Sequence, residues 1–277
     1  MSLTETYCSM TSEAMMSDVD IAELLHRIGL RVSREAIHAL IAHATKSKLG
    51  PSQLLEQLAA IERRDRDTRN LASRVAAACV GTPKPLDQFD WNYPAAIDRA
   101  LFEHHYQTLE FLEQGENILF RGPSGAGKTT LARHYGLRAL ERGYSVRFIT
   151  LSTALADLLS QESLPATERR LKRYTAPRLL ILDELGYLPC DARAADMLFH
   201  IVSRRHEHRS IIITTNLAYK QWPGMFPGAS CLSALIDRFA QHCHTIDIEA
   251  DSWRNHEAQQ RAKGKPPPKP PRKTTKT

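Results

Sequence analysis

No run of apolar residues in this 277-residue chain approaches the roughly 18 that a membrane-spanning helix requires. A membrane partner is therefore not expected. The five cysteines, Cys8, Cys79, Cys190, Cys231 and Cys243, are odd in number, scattered, and form no CxxC pair. That pattern argues against a disulfide scaffold and fits free thiols in a reducing compartment, the cytoplasm. Residues 1–20 contain no Lys or Arg, and the first basic residue is Arg27. The positive n-region of a secretory signal is thus missing. What is present is ordinary globular composition, 42% apolar and 25% charged, over a length that predicts about two domains with a sizeable core.

The net charge of +6 is unevenly placed. Residues 1–20 carry Glu5, Glu13, Asp18 and Asp20, a charge of −4, and residues 1–19 read as an acidic, disordered lead. Residues 261–277 carry seven Lys or Arg and no acid, leaving +3 for everything between. The high pI therefore reports a tail rather than a basic fold. Residues 258–277 are rich in Pro and Lys, with too little apolar surface to fold, and read as a disordered, extended tail. Lys265 and Lys269 within it are candidate DNA contacts; a merely solubilising terminus is the other reading.

Residues 20–81 read as a small helical domain. Ile21, Leu24, Leu25 and Ile28 fall at i, i+3, i+4 and i+7, one face of a helix that Gly29 ends. Ser33 can cap a second helix through Ile37, Leu40 and Ile41, and Ser52, after Gly50-Pro51, a third through Leu54, Leu55, Leu58 and Ile61. A mixed-charge helix surface with Arg63, Arg64, Arg66, Arg69 and Arg74 follows, then a Thr82-Pro83-Lys84-Pro85 hinge. Beyond it, residues 82–257, short apolar runs alternate with helix-length segments. The runs are Asn117–Phe120, Val146–Leu151, Leu179–Leu182, Ile211–Thr215 and Thr245–Ile248. This alternation predicts an α/β domain with a parallel sheet covered on both faces.

Residues 122–129 read GPSGAGKT, the pattern G-x-x-x-x-G-K-[ST], between a strand and a helix. Gly122, Pro123, Ser124, Gly125, Ala126 and Gly127 can wrap backbone N–H groups around a phosphate at a helix N-terminus, with Thr130 in the first turn. Lys128 can reach the β- and γ-phosphates, and the Thr129 hydroxyl can ligate Mg²⁺. In LLILDE, two adjacent carboxylates cannot sit inside a buried strand, so Asp183 and Glu184 are expected at its exit. There Asp183 can hold Mg²⁺ and Glu184 can polarise a water. IIITTN likewise ends an apolar strand in polar groups, and Asn216 can place an amide near the γ-phosphate; a turn asparagine is the plainer reading of that residue taken alone.

GPSGAGKT, LLILDELGYLP, SIIITTN and ALIDRFAQHCHTIDIEADSWR, in this order and spacing, resemble the IstB-like helper ATPases of transposition. These are AAA+ proteins related to the DnaC-type helicase loaders. The likeness covers residues 84–254 well, including the lead-in KPLDQFDWNYPAAIDR; the helical part before it is similar in length and charge only. The resemblance implies an AAA+ core with a five-stranded sheet in the order 5-1-4-3-2 and no full lid. Only 61 residues follow Asn216 and the last 17 are the basic tail, so a lid does not fit. It further implies Asp183 and Glu184 as Walker B, Asn216 as sensor 1, and Arg238 as an arginine finger acting on ATP bound by a neighbouring subunit. Arg254, in DSWR, matches a family nucleotide-binding arginine usually written S-Y-R, with Trp253 here replacing Tyr. The implied activity is ATP hydrolysis with Mg²⁺, homo-oligomerisation on duplex DNA, and recruitment of the transposase of the same element, so that the protein associates with the nucleoid when DNA-bound. A helicase loader shares every one of these motifs and is the alternative.

Other features weigh less. Arg169, Arg170, Lys172 and Arg173 form a basic run that reads as a solvated helix face or, in an assembled ring, as a DNA-facing one. His242, Cys243 and His244 alternate faces of a strand and do not converge on a metal. Phe89, Trp91 and Tyr93 read as packing, though the family linker lies near adenine. A small-molecule P-loop kinase is disfavoured by the Asp-Glu pair and the strand ending in Asn216; a nucleotide-gated DNA scaffold with little turnover remains open.

Overall fold

The computed structural model describes residues 21–93, 96–186 and 191–249. The chain divides into two compact units between Ala72 and Ser73.

The first unit holds α1 (Ile21–Arg27), α2 (Arg34–Ser47) and most of α3 (Pro51–Ala78), which continues across the division. Ser33 caps α2 as expected, its hydroxyl accepting from the Ala36 N–H at 3.2 Å. Ser52 does not cap α3. Pro51 is its first residue, where a missing N–H costs nothing, and Gln53 Oε1 reaches back to accept from Gly50 N–H at 3.1 Å. The expected third helix and the mixed-charge surface are one 28-residue helix. Buried Glu62 accepts from Arg31 N–H and from Arg66 and Arg69. The expected apolar face of α1 is rotated. Ala22 is buried against Val32 and Ile37, with Leu25 packed beside them, whereas Ile21, Leu24 and Ile28 are exposed. The small Ala22 side chain lets this seven-residue helix approach the core on that side.

The second unit is built on a sheet in the order β1-β6-β2-β5-β4-β3. Its strands are β1 (Ala96–Ile97), β2 (Asn117–Arg121), β3 (Val146–Thr150), β4 (Leu179–Leu185), β5 (Ser210–Thr215) and β6 (Cys243–Glu249). The last five are parallel and coincide with the five predicted runs to within three residues at either end. Counted without β1, their order is 5-1-4-3-2. The sheet has six strands rather than five because the two-residue β1 adds antiparallel to the β6 edge, pairing Ala96 with Glu249. The helices of this unit are α4 (Arg99–Thr108), α5 (Glu110–Gln114), α6 (Lys128–Glu141), α7 (Leu151–Leu159), α8 (Leu164–Thr175), α9 (Ala192–Arg205), α10 (Trp222–Met225) and α11 (Leu232–Ala240).

Both sheet faces are covered, as near-continuous apolar strands require. Leu180, Leu182, Ile211 and Ile213 pack with residues of α7, α8, α9 and α11. The alternate residue Ile181 meets α6 on the other face, where a Cβ added to Gly136 would lie 3.0 Å from Ile181 Cδ1. Arg205 is fully buried with no carboxylate beside it among the described residues; carbonyls take its two terminal nitrogens, while Nε has no partner there. Arg205 donates to Tyr174 at 2.9 Å, Pro177 at 2.8 Å and Ser210 at 2.6 Å, joining the end of α8 to β5.

At the opposite end of the sheet from the strand tips, His105 is 5% exposed, and neither ring nitrogen has a hydrogen-bond partner among the described residues. Its ring centroid lies 4.3 Å from that of His244, which in turn holds Glu116 at 2.8 Å. Burial first, then the His244 and His104 charges, lower the His105 pKa from 6.5 to about 4, against a weaker opposing pull from Glu116. The folded state therefore favours the neutral ring. Stability from this site is full above the unfolded value and is lost as pH falls from about 6.5 toward about 4. Between pH 7 and pH 5 the loss should be about 2 kcal/mol. Urea unfolding of wild type and His105→Phe at both pH values checks this; an equal pH dependence in the two proteins would rule it out.

Candidate functional site

β2 delivers the chain to the phosphate loop. Gly122 N–H donates to Thr215 O at 3.1 Å, and a Cβ at Gly122 would sit 2.3 Å from Ile248 O, so only glycine passes between β5 and β6 here. The loop ends at Gly127, in the left-handed region at φ 91°, and α6 begins at Lys128. Gly127 is constrained twice, because a Cβ there would lie 2.7 Å from the Phe89 ring. Lys128 is buried, and its ammonium donates to Gly122 O at 2.8 Å and Pro123 O at 2.7 Å. Thr129 Oγ1 donates to Asp183 Oδ1 at 2.9 Å, joining the first turn of α6 to β4.

The carboxylate pair does not lie beyond the end of its strand. β4 runs on to Leu185, and the pair sits inside it at an irregularity between Leu182 and Leu185. Two adjacent carboxylates are tolerated because they part: Asp183 is buried and hydrogen-bonded, while Glu184, at φ 66°, is exposed. Thr214 Oγ1 donates to Asp183 Oδ1 and accepts from Glu184 N–H at 3.0 Å.

These groups edge a cleft of about 380 Å³, within the usual range for small-molecule sites. Gly125, Ala126, Gly127, Lys128, Thr129, Thr130 and Glu184 line it, opposite Thr82–Pro85, Phe89 and Tyr93. The linker is fastened over α6 by His134 Nε2–H donating to Lys84 O at 2.8 Å. Phe89 and Trp91 do pack, with ring centroids 4.8 Å apart and Trp91 against Phe102 at 5.2 Å, yet Phe89 also faces the cleft.

The remaining sequence candidates divide. Gly122, Pro123 and Ser124 form the loop without lining the cleft, and Asp183 stands behind it through Thr129. Asn216 is exposed and not among the lining residues; its Oδ1 lies 2.6 Å from where a Gly186 Cβ would be. Arg238, on α11, is likewise absent from the lining. It packs over the Phe199 ring at 4.9 Å and donates to Ser203 Oγ, both on α9. On α8, Arg170 forms a two-pronged pair with Asp157, Nε at 2.7 Å, while Arg169, Lys172 and Arg173 are exposed. Arg254, Lys265 and Lys269, with the acidic lead and the basic tail, lie outside the described residues. Thr214, Thr215 and Arg133 border the cleft without having been singled out in the sequence. The signal was the Thr-Thr pair closing an otherwise apolar strand. Among the described residues no group of His, Cys, Asp or Glu can hold a metal by itself, and no helix is long and apolar enough to cross a membrane.

A phosphate loop opening α6, a carboxylate pair on the strand two places away across β5, and parallel strands in the order 5-1-4-3-2 define an ATP-binding P-loop protein of the AAA+ class. Residues 23–261 match the IstB-like ATP binding protein family. The chain is 33% identical over 235 residues to the ATP-binding protein of insertion sequence IS21 from Pseudomonas aeruginosa, covering 85% of this chain and 88% of that one. It is 31% identical over 237 residues to that of IS5376 from Geobacillus stearothermophilus, covering 86% and 94%. Among solved structures, DnaI shares the fold at a TM-score of 0.50 and 16% identity, over 62% of this chain and 90% of that one. The chain belongs to the IstB-like ATP-binding family.

Proposed function

We propose that this protein is a DNA-dependent ATPase that assembles on duplex DNA and recruits the transposase of its insertion sequence. The observation that carries the hydrolytic part is the Thr129–Asp183 bond beside exposed Glu184, which lines the cleft. Hydroxyl and carboxylate oxygens are the hard donors that Mg²⁺ takes, so Thr129 and Asp183 fit that ion. When bound, Mg²⁺ supplies positive charge to the β- and γ-phosphate oxygens. The loop N–H groups and the α6 N-terminus bind the phosphates. Lys128 exchanges the Gly122 and Pro123 carbonyls for phosphate oxygens, and Glu184 accepts a proton from the attacking water. The insertion-sequence context of the relatives supports the transposition role over helicase loading. Measuring phosphate release with and without duplex DNA, alongside sizing of the assembly, tests the whole reading. Phosphate release that does not respond to DNA would sink it.

For the DNA surface, α8 is the described element that supports contact best. Its brace is rigid: Asp157 takes Arg170 and the Tyr174 hydroxyl, and Glu168 takes Arg204 at 2.7 Å. Arg170 is thereby committed, leaving Arg169 and Lys172 and, 4.0 Å from the same Asp157 carboxylate, Arg173 as exposed cations, with Lys265 and Lys269 in the tail as further contacts. Changing Arg169, Lys172 and Arg173 together to Ala should lower the slope of log K against log salt by about 0.9 for each DNA phosphate no longer neutralised. A slope identical to wild type would remove α8 from the interface.

A further inference from the structure

We propose that Thr214 is a positioning residue of the hydrolytic site, holding both carboxylates of the pair in place; this rests on the ATPase reading above. In the β4–β5 ladder Leu182 pairs with Ile213 and Leu185 pairs with Thr215. Between those rungs two residues, Asp183 and Glu184, stand opposite one, Thr214. That is the count of a β-bulge, a device that re-aims side chains beside functional sites. Adjacent residues of a regular strand face opposite sides of the sheet. The bulge breaks that rule, so Asp183 turns toward Thr129 while Glu184 reaches the cleft.

A bulge leaves a backbone group without its ladder partner, and here a side chain supplies one. Glu184 N–H donates to Thr214 Oγ1 at 3.0 Å. The same hydroxyl donates its own proton to Asp183 Oδ1. Thr214 is 1% exposed, so its hydroxyl is a buried polar group used in both directions rather than a surface ornament. Thr129 donates to the same Oδ1, and among the described residues no hydrogen bond ends on Oδ2. The carboxylate is thereby oriented with Oδ2 left for the metal or its water shell. Glu184 is also one of the few non-glycine residues in the left-handed region, at φ 66°. Such a backbone persists only where its surroundings over-determine it, and the bond to Thr214 is one contact that holds it there. One hydroxyl thus links the metal-side carboxylate to the backbone of the water-side one.

Thr214→Val keeps the branched shape and removes only the hydroxyl; Thr214→Ser keeps the hydroxyl. In the full-length protein, Thr214→Val should lower kcat by about 10²-fold while KM for ATP stays within about threefold. It should also raise by at least about fivefold the Mg²⁺ concentration that half-saturates binding of a fluorescent ATP analogue, because the carboxylate loses an orienting donor. Thr214→Ser should restore both. The proposal is overturned if Thr214→Val turns over normally with an unchanged Mg²⁺ requirement, or if Thr214→Ser is as impaired as Thr214→Val. Should Thr214→Val fail to fold by thermal melting, Thr214→Ala against Thr214→Ser gives the same comparison. If wild type and Glu184→Gln release phosphate equally, the ATPase reading fails instead, and the Mg²⁺ titration decides on Thr214 by itself.

Discussion

Glu184→Gln is expected to bind ATP about as tightly as wild type and to hydrolyse it roughly 10³-fold more slowly, the range that a positioned general base supplies. The amide is nearly isosteric, and Glu184 lines the cleft without belonging to the phosphate loop. The change therefore leaves the loop, Lys128 and Asp183 untouched while removing the group we propose accepts the proton of water. Lys128→Ala is the complementary change. Its ammonium is buried against Gly122 O and Pro123 O, ready to exchange those carbonyls for phosphate oxygens. Without it, binding should weaken by about 2–5 kcal/mol, the cost of truncating one side of a close charge pair. Analogue binding and single-turnover hydrolysis separate the two variants. If Glu184→Gln turns over like wild type, the base is another residue; if Lys128→Ala binds normally, the loop is not the phosphate site.

How much of this was legible beforehand follows from which physical signals are local. The phosphate loop was fully legible, because glycine spacing, a preceding strand and a following helix all sit within one short window. The central strands β2, β4 and β5 were legible because burial on both faces leaves continuous apolar runs, whereas β3 and β6 are only partly buried and showed as shorter apolar runs. β1 was not, since two residues of edge pairing have no periodicity to show. The placement of Asp183 and Glu184 was misjudged for a definite reason. A bulge is a relation between two strands, and the rule that carboxylates avoid strand interiors holds only for regular ladders. Thr214 escaped for the same cause: in sequence it is one polar residue near a strand end, and its role depends on facing the bulge from β5. In α1 the periodicity was right and the face was rotated, because Ala22 with Leu25, rather than Ile21, Leu24 and Ile28, meets Val32 and Ile37. Helical spacing gives a stripe but not which side of it a small domain can use.

The remaining large effect concerns Arg238, and its expected result is loss of most activity in Arg238→Ala with recovery on mixing. Hydrolysis builds negative charge on the γ-phosphoryl oxygens, and Lys128 with Mg²⁺ leaves part of it unanswered; an arginine finger contributes roughly 10³-fold or more. No arginine but Arg133 lines the cleft among the described residues, and Arg133 is stacked on Phe148 at 4.7 Å. Arg238 is far from idle in its own subunit, being held over Phe199 and bonded to Ser203. Those contacts stiffen a long side chain at the surface of α11, which lowers the entropy cost of presenting it to another copy. A purely structural arginine on that helix would predict something different: a lower melting temperature in Arg238→Ala, with activity per folded molecule retained. Subunits carrying Lys128→Ala and subunits carrying Arg238→Ala should each be inactive alone. Mixed, some interfaces join an intact phosphate loop to an intact Arg238, and DNA-stimulated hydrolysis should return to a fraction of wild type. Arg238→Lys should not substitute, because a point ammonium lacks the forked donors of a guanidinium. If the mixture stays inactive despite verified co-assembly, Arg238 does not act across the interface, and if Arg238→Ala is active alone, the charge on the γ-phosphoryl group is met by another residue.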